Sequence, residues 1–267
     1  MAETISSAAN PLVKRVRLLT APSRKHRREQ GAFVVEGRQP VWRAITAGWP
    51  VEALIVDADL RDDSAAAAMV EEQERSGVRV ARITHDLFLR LASREGSPGL
   101  AAIVTARRTS LDDLTASPDS VFVALHKIAN PGNLGTIIRT LDATGGDGVI
   151  LIGDSTDPYA PTAVKASMGS VFAVPVAHVP TPDAFFGWAA ARGVTVLATS
   201  GKATMDHWHA TYQPPLAVLF GSEGEGLPAS LLHRADQRIA IPMTGTAESL
   251  NLAAAAAVML YEINRPR

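Results

Sequence analysis

The chain has 267 residues, of which 46% are hydrophobic and 20% charged, a composition that can bury a sizeable core and excludes bulk disorder. It contains no cysteine, which excludes disulfides, thiolate metal sites and cysteine nucleophiles. The longest apolar run is about half the ~20 residues that a membrane-spanning helix needs, and Met1–Asn10 lacks the pattern of a signal peptide. We therefore expect a cytoplasmic protein.

The net charge of −1 conceals an asymmetry along the chain. Residues 1–110 carry 17 basic and 13 acidic side chains, whereas residues 111–267 carry 9 and 14. Seven of the basic residues fall between Pro11 and Gln30. Such a block on a nearly neutral chain is typical of a surface that binds polyanions. A solvated helix face gives the same pattern, so charge alone leaves both interpretations open.

Residues 1–105 are predicted to form a small α/β unit. Apolar residues at helical spacing indicate helices after Asn10-Pro11, after Gly37 and across Ser64–Arg75. The predicted strands are Ala32–Val35, Ala53–Val56, Val78–Ala81 and Leu100–Thr105. Residues 106–119 are polar and rich in turn residues, and they are predicted to be a linker to a second domain.

Residues 120–267 alternate short β-type runs with helical patterns. The predicted strands are Val121–Leu125, Val149–Ile152, Val174–Ala177, Val194–Ala198, Ala217–Phe220 and Arg238–Ile241. The predicted helices are Leu134–Thr144, Pro161–Met168, Asp183–Arg192, Pro228–Arg234 and Leu250–Ile263. This alternation predicts a mostly parallel sheet covered by helices. Ligands of such folds lie beyond the carboxyl ends of the strands.

Three loops of this second domain have an unusual composition. The first reads NPGNLGTIIR over residues 130–139; in it Asn133 is either the N-cap of the next helix or a functional side chain, and Arg139 is either a surface or a site residue. The second reads LFGSEGEGLP over residues 219–228. Its three glycines let the backbone approach a ligand closely, but their spacing fits neither a Walker loop nor a dinucleotide fingerprint. The third covers residues 241–251 and leads into an alanine-rich helix that Ser249 could cap.

These three loops, taken in order and spacing, resemble the signature motifs of the SpoU/TrmH family of SPOUT methyltransferases. The resemblance is carried by "NPGNLGTIIRT", "LFGSEGEGLP" and "IPMTGTAESLNLAAAAAVMLYE", and it covers about residues 120–264. The stretch "SSAANPLVKRVRLLTAPSRKHRREQGAFVVEGRQPV" resembles the RNA-binding N-terminal domain of many members, which has a ribosomal-protein-like α/β fold. The resemblance therefore implies an RNA-binding domain over residues 1–105, a linker over 106–119 and a methyltransferase domain over 120–267.

The family resemblance implies transfer of a methyl group from S-adenosylmethionine to a ribose 2′-hydroxyl of RNA. It also implies a parallel-sheet domain with a deep trefoil knot whose loops hold the cofactor, and a homodimer with the active site near the subunit interface. The type of N-terminal domain favours 23S ribosomal RNA as the substrate. Enzymes with this type of domain include some that confer resistance to ribosome-targeting antibiotics. Transfer RNA is the alternative substrate.

Site residues follow from the same resemblance. The predicted catalytic residues are Asn133, Arg139, Glu223, Ser249 and Asn251. The predicted cofactor contacts are Thr199, Ser200, Gly201, Leu219, Gly221, Ser222, Glu223, Ile241, Met243, Ser249, Leu250 and Asn251. The predicted RNA contacts are Lys14, Arg15, Arg24, Lys25, Arg27, Arg28, Arg38 and Lys165. Since arginine stays protonated at neutral pH, Arg139 is expected to hold phosphate or stabilise a developing alkoxide, whereas Glu223 is expected to anchor a loop.

Two other classes of protein compete with this interpretation. A catalytically silent RNA-binding relative would lack Asn133, Arg139, Ser249 or Asn251, and all four are present. An unrelated α/β enzyme with a nucleotide cofactor would carry a glycine fingerprint on its first βα turn, which this sequence lacks. No metal and no membrane partner is expected.

Overall fold

The computed structural model describes residues 4–60, 64–91 and 99–265, which form an α/β protein. The first elements along the chain are α1 (Pro11–Thr20), α2 (Lys25–Gln30), β1 (Ala32–Glu36), α3 (Arg38–Thr46), β2 (Val51–Asp57), α4 (Ser64–Arg75), β3 (Arg79–Ile83), α5 (His85–Leu91) and β4 (Leu100–Thr105). They are followed by β5 (Val121–His126), α6 (Pro131–Ala143), β6 (Gly148–Ile152), α7 (Pro161–Ser167), β7 (Val176–Val179), α8 (Pro182–Ala191), β8 (Thr195–Thr199), β9 (Met205–Asp206), β10 (Leu216–Phe220), α9 (Ala229–Leu232), β11 (Gln237–Ala240) and α10 (Leu252–Ile263).

The chain divides into two compact units. The first contains residues up to Arg107 together with Tyr159–Phe172, and the second contains Arg108–Pro158 and the chain from Ala173 onward. Within the residues that the structure describes, no helix is both long and apolar enough to cross a membrane.

The first unit is built on a four-stranded sheet in the order β1-β4-β2-β3. β4 runs antiparallel to both of its neighbours, and β2 and β3 are parallel. Helices α1 and α5 cover one face of this sheet, where Leu12, Leu19, Val34, Phe88 and Ile103 form part of one buried cluster. Because side chains alternate along a strand, Phe33 lies on the opposite face.

Aromatic packing attaches Tyr159–Phe172 to the first unit. The ring of Tyr159 stacks on Phe33 with centroids 4.4 Å apart, and the indole N–H of Trp49 donates to the carbonyl of Phe172 over 3.0 Å. The sequence prediction places this segment in the domain of residues 120–267, because strand and helix alternate on both sides of it, and that placement stays a prediction. The partners of its aromatic residues lie about 110 to 130 positions earlier, a separation that no local pattern reveals.

The second unit contains a seven-stranded sheet in the order β7-β6-β5-β10-β8-β11-β9. Every pair of neighbours in it is parallel, which confirms the prediction of a parallel sheet. The chain passes from β5 to β6 on one side and later places β10 on the other side of β5. The loops after β5 and β10 therefore flank a topological switch point, where α/β proteins bind their ligands.

The sequence missed several short elements. Helices α2 and α5 and the two-residue strand β9 were not predicted, the strand expected at Val174–Ala177 lies instead at Val176–Val179, and α9 is shorter than expected. The predicted linker is not a free connector, since it contains a 3-10 turn at Leu111–Asp113 and Thr109 forms a parallel bridge with Ala177.

Candidate functional site

The loop after β5 is shaped by an asparagine that the sequence analysis did not single out. Asn130 is the N-cap of α6, and its side-chain oxygen accepts hydrogen bonds from the backbone N–H of Gly132 over 2.8 Å and of Asn133 over 3.2 Å. The Asn-Pro dipeptide carries the signal for this cap, because proline is favoured at the first helical position. The alternative that Asn133 caps the helix is therefore wrong, and the buried Asn133 side chain is available for other contacts.

Asn133 joins two residues that lie about 90 and 118 positions further along the chain. Its Nδ2 donates to Glu223 Oε1 over 3.1 Å, and its Oδ1 accepts from Asn251 Nδ2 over 3.1 Å. One amide thus makes one donated and one accepted bond, which fixes its orientation. The three loops singled out in the sequence meet through these two bonds.

Glu223 also holds the backbone of the first loop. Its carboxylate accepts from the N–H of Ala129 over 3.3 Å and of Asn130 over 3.2 Å, in addition to Asn133. Partial burial acts to raise the pKa of Glu223, but the hydrogen bonds from its own backbone, Asn133, Ala129 and Asn130 outweigh it and hold this pKa below its ordinary value. Glu223 is therefore an ionised acceptor at neutral pH and a weak base.

The start of the same loop carries a backbone conformation that is uncommon outside glycine. Lys127 has φ of 53°, a region that a non-glycine residue occupies only when the surrounding structure holds it. Its N–H donates to the carbonyl of Ile152 over 3.0 Å, and Glu223 binds the chain two and three residues later. The turn between β5 and α6 is therefore held at both ends.

The third loop reaches this network through the cap of α10. Asn251, and not Ser249, is the N-cap: its Oδ1 accepts from the backbone N–H of Ala253 over 2.9 Å and of Ala254 over 3.3 Å. The alternative that Ser249 caps the helix is wrong, and Ser249 is exposed. Since the cap occupies Oδ1 of Asn251, its Nδ2 is left to bind Asn133.

The structure does not bring Arg139 to the network formed by Asn133, Glu223 and Asn251. Arg139 is exposed on α6, six residues and about 9 Å of helix rise beyond Asn133. Within the described part of the chain, its guanidinium makes no ion pair or hydrogen bond. The charge of Arg139 is thus available to a ligand or to another molecule.

Most of the predicted cofactor residues lie at the carboxyl edge of three neighbouring strands. β8 lies between β10 and β11, with Ala198 opposite Leu219 on one side and Arg238 on the other. The strand ends are tied together by side chain and backbone: Thr199 Oγ1 donates to the carbonyl of Leu219 over 3.1 Å, and Ser200 N–H to that of Ile239 over 2.9 Å. Thr199–Gly201, Gly221–Glu223 and Ile241–Met243 consequently leave the same edge of the sheet.

The loop after β10 folds back on itself at a glycine. A Cβ atom at Gly221 would lie 2.0 Å from the carbonyl carbon of Gly226 and 2.3 Å from the nitrogen of Leu227, so only glycine fits there. Ser222 and Gly226 form an antiparallel bridge, with the Gly226 N–H donating to the Ser222 carbonyl over 3.0 Å. This close return leaves Glu223, Gly224 and Glu225 at the tip of a tight backbone loop whose base is Ser222 and Gly226.

These loops fit a cofactor of the S-adenosylmethionine type. Met243 and Leu250 are 36% and 39% exposed, although both are large apolar side chains that a ligand would cover. The surrounding loops supply backbone N–H and C=O groups of the kind that orient polar parts of small molecules. Among the predicted cofactor contacts, Glu223 is the one charged side chain, and the others are neutral. A site without positive charge suits a ligand that carries a sulfonium and an amino group.

The predicted RNA contacts all lie in the first unit, but they are not equally available. Lys14, Lys25, Arg28, Arg38 and Lys165 are exposed. Arg24 is half-buried.

Two arginines of the basic block are engaged within the protein. Arg27 is only 3% exposed and donates to the carbonyls of Leu19 over 2.9 Å and Ala21 over 2.7 Å, which satisfies the end of α1. Its assignment as an RNA contact is wrong, because a buried guanidinium cannot reach phosphate. Arg15 is half-buried and pairs with Glu52 over 2.7 Å.

The first unit also holds a side-chain cluster that the sequence analysis did not notice. Potential metal-ligand atoms of Asp57, Asp59 and His85 lie within 4.8 Å of one another. The buried Asp57 already bonds His85 Nδ1 over 2.7 Å and the N–H of Asp59 over 3.0 Å. The hydrogen bond and charge of Asp57 raise the pKa of His85 against the opposing effect of desolvation. This pair therefore joins the end of β2 to the start of α5.

Comparison with known proteins matches both units. The SpoU rRNA Methylase family matches residues 120–261, and the MRM3-like substrate binding domain matches residues 10–102. The chain is 32% identical over 251 residues to the 23S rRNA (uridine(2479)-2′-O)-methyltransferase of Streptomyces viridochromogenes, a match that covers 92% of this chain and 86% of that protein.

Solved structures resemble the chain over nearly its whole length. The AdoMet-bound rRNA methyltransferase from Sinorhizobium meliloti has a TM-score of 0.89 at 35% identity, covering 98% of this chain and 97% of that one. The SpoU methyltransferase AviRb from Streptomyces viridochromogenes, in complex with AdoMet, has a TM-score of 0.86 at 32% identity, covering 96% and 97%.

Proposed function

This chain belongs to the SpoU rRNA methylase family, and we propose that it methylates one ribose 2′-hydroxyl of 23S ribosomal RNA. It is an RNA ribose 2′-O-methyltransferase that uses S-adenosylmethionine. The observation that carries the proposal is the network of Asn133, Glu223 and Asn251, which joins the three signature loops beside the carboxyl edge of the parallel sheet.

The network accounts for how the chain orients the reacting groups. When bound, S-adenosylmethionine supplies a methyl group on a positively charged sulfur. In-line transfer forms an O–CH₃ bond, breaks the S–CH₃ bond and releases the hydroxyl proton, so the hydroxyl oxygen must be held on the axis of the breaking bond. Asn133 and Asn251 keep unused hydrogen-bonding capacity after their mutual contact, and we assign them to the ribose and the cofactor.

Glu223 acts as a positioning residue in this proposal. A carboxylate that already accepts hydrogen bonds from Ala129, Asn130 and Asn133, and whose pKa is lowered, is a poor acceptor for the hydroxyl proton. Its role is to fix the backbone and the Asn133 amide against which the substrate is placed. Ser249, exposed beside the cap of α10, is assigned to the same polar surface.

Arg139 is assigned to the RNA. Its permanent positive charge suits a substrate phosphate or the negative charge that develops on the 2′-oxygen. Phosphate or water then takes the proton, because a guanidinium that stays charged cannot accept one. Because Arg139 lies about 9 Å along α6 from Asn133, we propose a homodimer in which the arginine of one copy faces the network of the other.

The cofactor contacts and the knot are proposed together. Thr199, Ser200, Gly201, Leu219, Gly221, Ser222, Ile241, Met243 and Leu250 are assigned to the cofactor. The insertion of β10 between β5 and β8 and the close return at Gly221 support a chain threaded as a trefoil knot, which is an exception to the general absence of threading in protein folds.

The first unit is assigned to RNA binding. Its match to a substrate binding domain and the exposed cations Lys14, Lys25, Arg28, Arg38 and Lys165, together with Arg24 and the half-buried Arg15, support this assignment. Contacts of this type position structured RNA and give binding its salt dependence. An enzyme of ribosomal RNA works where ribosomes are assembled, so we also propose a cytoplasmic location.

The choice of substrate is tested by offering several RNAs to the full-length protein with S-[methyl-³H]adenosylmethionine. Unmodified 23S rRNA, 16S rRNA and total tRNA are supplied separately, and 2′-O-methyl sites are mapped by primer extension at low nucleotide concentration. We expect one new site in 23S rRNA and background incorporation in the other two. Preferential labelling of tRNA would overturn the proposed substrate while leaving the reaction class intact.

A further inference from the structure

Helix α3 presents a tryptophan to solvent at the centre of its outer face. Trp42 is 53% exposed, whereas Trp49, a few residues later, is buried at 8%. The inner face of α3 is formed by Pro40, Val41 and Ala44, which are buried in the first unit. More than half of the Trp42 surface is therefore left outside the apolar core that this helix covers.

Three of the four neighbours of Trp42 at helical spacing are polar or basic, and the fourth, Ile45, is half-buried. At 100° per residue, Arg38 and Thr46 lie one turn before and one turn after Trp42, and Gln39 lies beside them. Arg38 and Gln39 are exposed, and the Thr46 hydroxyl donates to the Trp42 carbonyl over 3.0 Å, so it points back to the helix. The helix RQPVWRAIT contains no acidic residue.

An indole beside a guanidinium and an amide is the composition with which proteins hold unpaired nucleotides. A base stacks on an exposed aromatic ring, and nearby donors bind its edge or the adjacent phosphate. Duplex RNA offers no such stacking face, because its bases are already stacked on each other. Trp42 also lies within the part of the chain, residues 10–102, that matches a substrate binding domain.

We propose that Trp42 stacks against an unpaired base of the RNA substrate, with Arg38 and Gln39 flanking it, so that this face of α3 recognises a loop or bulge. The proposal rests on the RNA-binding role assigned to the first unit. It adds a contact that distinguishes single-stranded from paired RNA, which the phosphate contacts of the basic residues do not provide.

The test compares two RNAs with full-length protein variants by fluorescence anisotropy. The probes are fluorescein-labelled r(A)₁₂ and the same strand paired with r(U)₁₂. Trp42→Ala is expected to weaken binding of r(A)₁₂ about tenfold, as loss of one stacked base would do, and to leave duplex binding unchanged. Trp42→Phe keeps an aromatic face and should retain most of the affinity.

A matched control is available in the second unit. Trp208 is also exposed, at 48%, and Trp208→Ala should bind both probes as the wild type does. The slope of affinity against salt should be the same for Trp42→Ala and the wild type, because stacking releases no counterions.

Three results would overturn the proposal. Trp42→Ala could bind r(A)₁₂ with wild-type affinity, or it could bind both probes equally more weakly than the wild type. Light scattering could also show that Trp42→Ala changes the oligomeric state, which would assign this face to another protein molecule. A wild-type protein that binds neither probe would overturn the RNA-binding role of the unit as well. Methyl transfer is measured separately, so failure of the stacking contact is distinguishable from failure of the proposed function.

Discussion

Glu223→Gln tests whether this carboxylate positions the first loop or accepts the proton. The carboxylate accepts hydrogen bonds from the backbone N–H of Ala129 and Asn130 and from the side chain of Asn133. Glutamine keeps one oxygen, which can still accept from Asn130 and Asn133, but its NH₂ group then faces the Ala129 N–H, and two donors repel. One charge-assisted bond is lost and the others weaken. Since the site is partly exposed, we expect a loss of about 1 kcal/mol in stability.

The kinetic effect should exceed the effect on stability. A loss of about 1 kcal/mol lowers the melting temperature by roughly 2–4 °C in a domain of this size, whereas a loop displaced by a fraction of an ångström can slow an aligned reaction by about 10- to 100-fold. The assay is single-turnover methyl transfer to 23S rRNA between pH 6 and 9. Glu223→Gln should lower the rate at every pH without changing the shape of the profile, because the lowered pKa keeps Glu223 ionised throughout.

The control is Glu225→Gln, two residues later in the same loop, because within the described residues the Glu225 carboxylate makes no hydrogen bond and the Ser222 hydroxyl contacts only its backbone N–H. It should leave both the melting temperature and the rate unchanged. If Glu223→Gln removed a pH-dependent limb of the profile, Glu223 would be the proton acceptor. If it retained the wild-type rate, the loop-holding role would be refuted.

Three further predictions concern the sheet edge, the exposed arginine and the first unit. Gly221→Ala should destabilise the protein by about 3 kcal/mol or more and abolish cofactor binding measured by calorimetry, because its Cβ meets backbone; Gly224→Ala, where a Cβ meets nothing within 4 Å, should be tolerated, and equal effects would contradict the close-return argument. Arg139→Ala should leave the free energy of unfolding within about 0.5 kcal/mol of wild type while abolishing methyl transfer, and unchanged turnover would remove Arg139 from the mechanism. The bond to Asp57 raises the pKa of His85 above 6.5, so this pair stabilises the fold below pH ~6.5, and that stabilisation is lost as pH rises through the raised value. The melting temperature of His85→Gln should fall furthest below wild type under acidic conditions and converge with it at alkaline pH, and a pH-independent difference would contradict this.

Much of the second unit could be predicted from the sequence. Continuous apolar runs such as Val121–Leu125 and Val149–Ile152 indicated buried parallel strands, and the family resemblance of the three loops singled out Asn133, Glu223 and Asn251. Their hydrogen bonds could not be predicted from spacing, because they depend on β10 lying beside β5. That neighbour relation is set by the fold and has no local signal in the sequence.

The errors in prediction share a physical cause. Arg27 was read from its place in a basic block, but it faces inward and binds carbonyls at the end of α1. Asn133 and Ser249 were each weighed as helix caps, whereas Asn130 and Asn251 hold those positions. In each case, the sequence offered several neighbouring residues with similar side-chain chemistry, and composition alone did not show which of them makes the contact.

The grouping of Tyr159–Phe172 with the first unit changes how the RNA-binding role should be tested. Removing residues 1–105 would delete Phe33 and Trp49, the packing partners of Tyr159 and Phe172. A truncated protein would therefore expose apolar rings as well as lose its cations. Substituting exposed cations such as Lys14 and Arg28 in the full-length chain tests RNA affinity without this defect, and it should weaken RNA binding while leaving cofactor binding unchanged.

The most direct test of the account is a double-mutant cycle on Asn133 and Glu223, measured as the rate of 2′-O-methylnucleoside formation in 23S rRNA. Asn133→Ala combined with Glu223→Gln should be about as slow as the slower single variant, because the two side chains position the substrate as one unit. Rate losses that multiply would show that the two residues act independently and would contradict it. Methyl groups found on a base instead of the 2′-oxygen would contradict it as well.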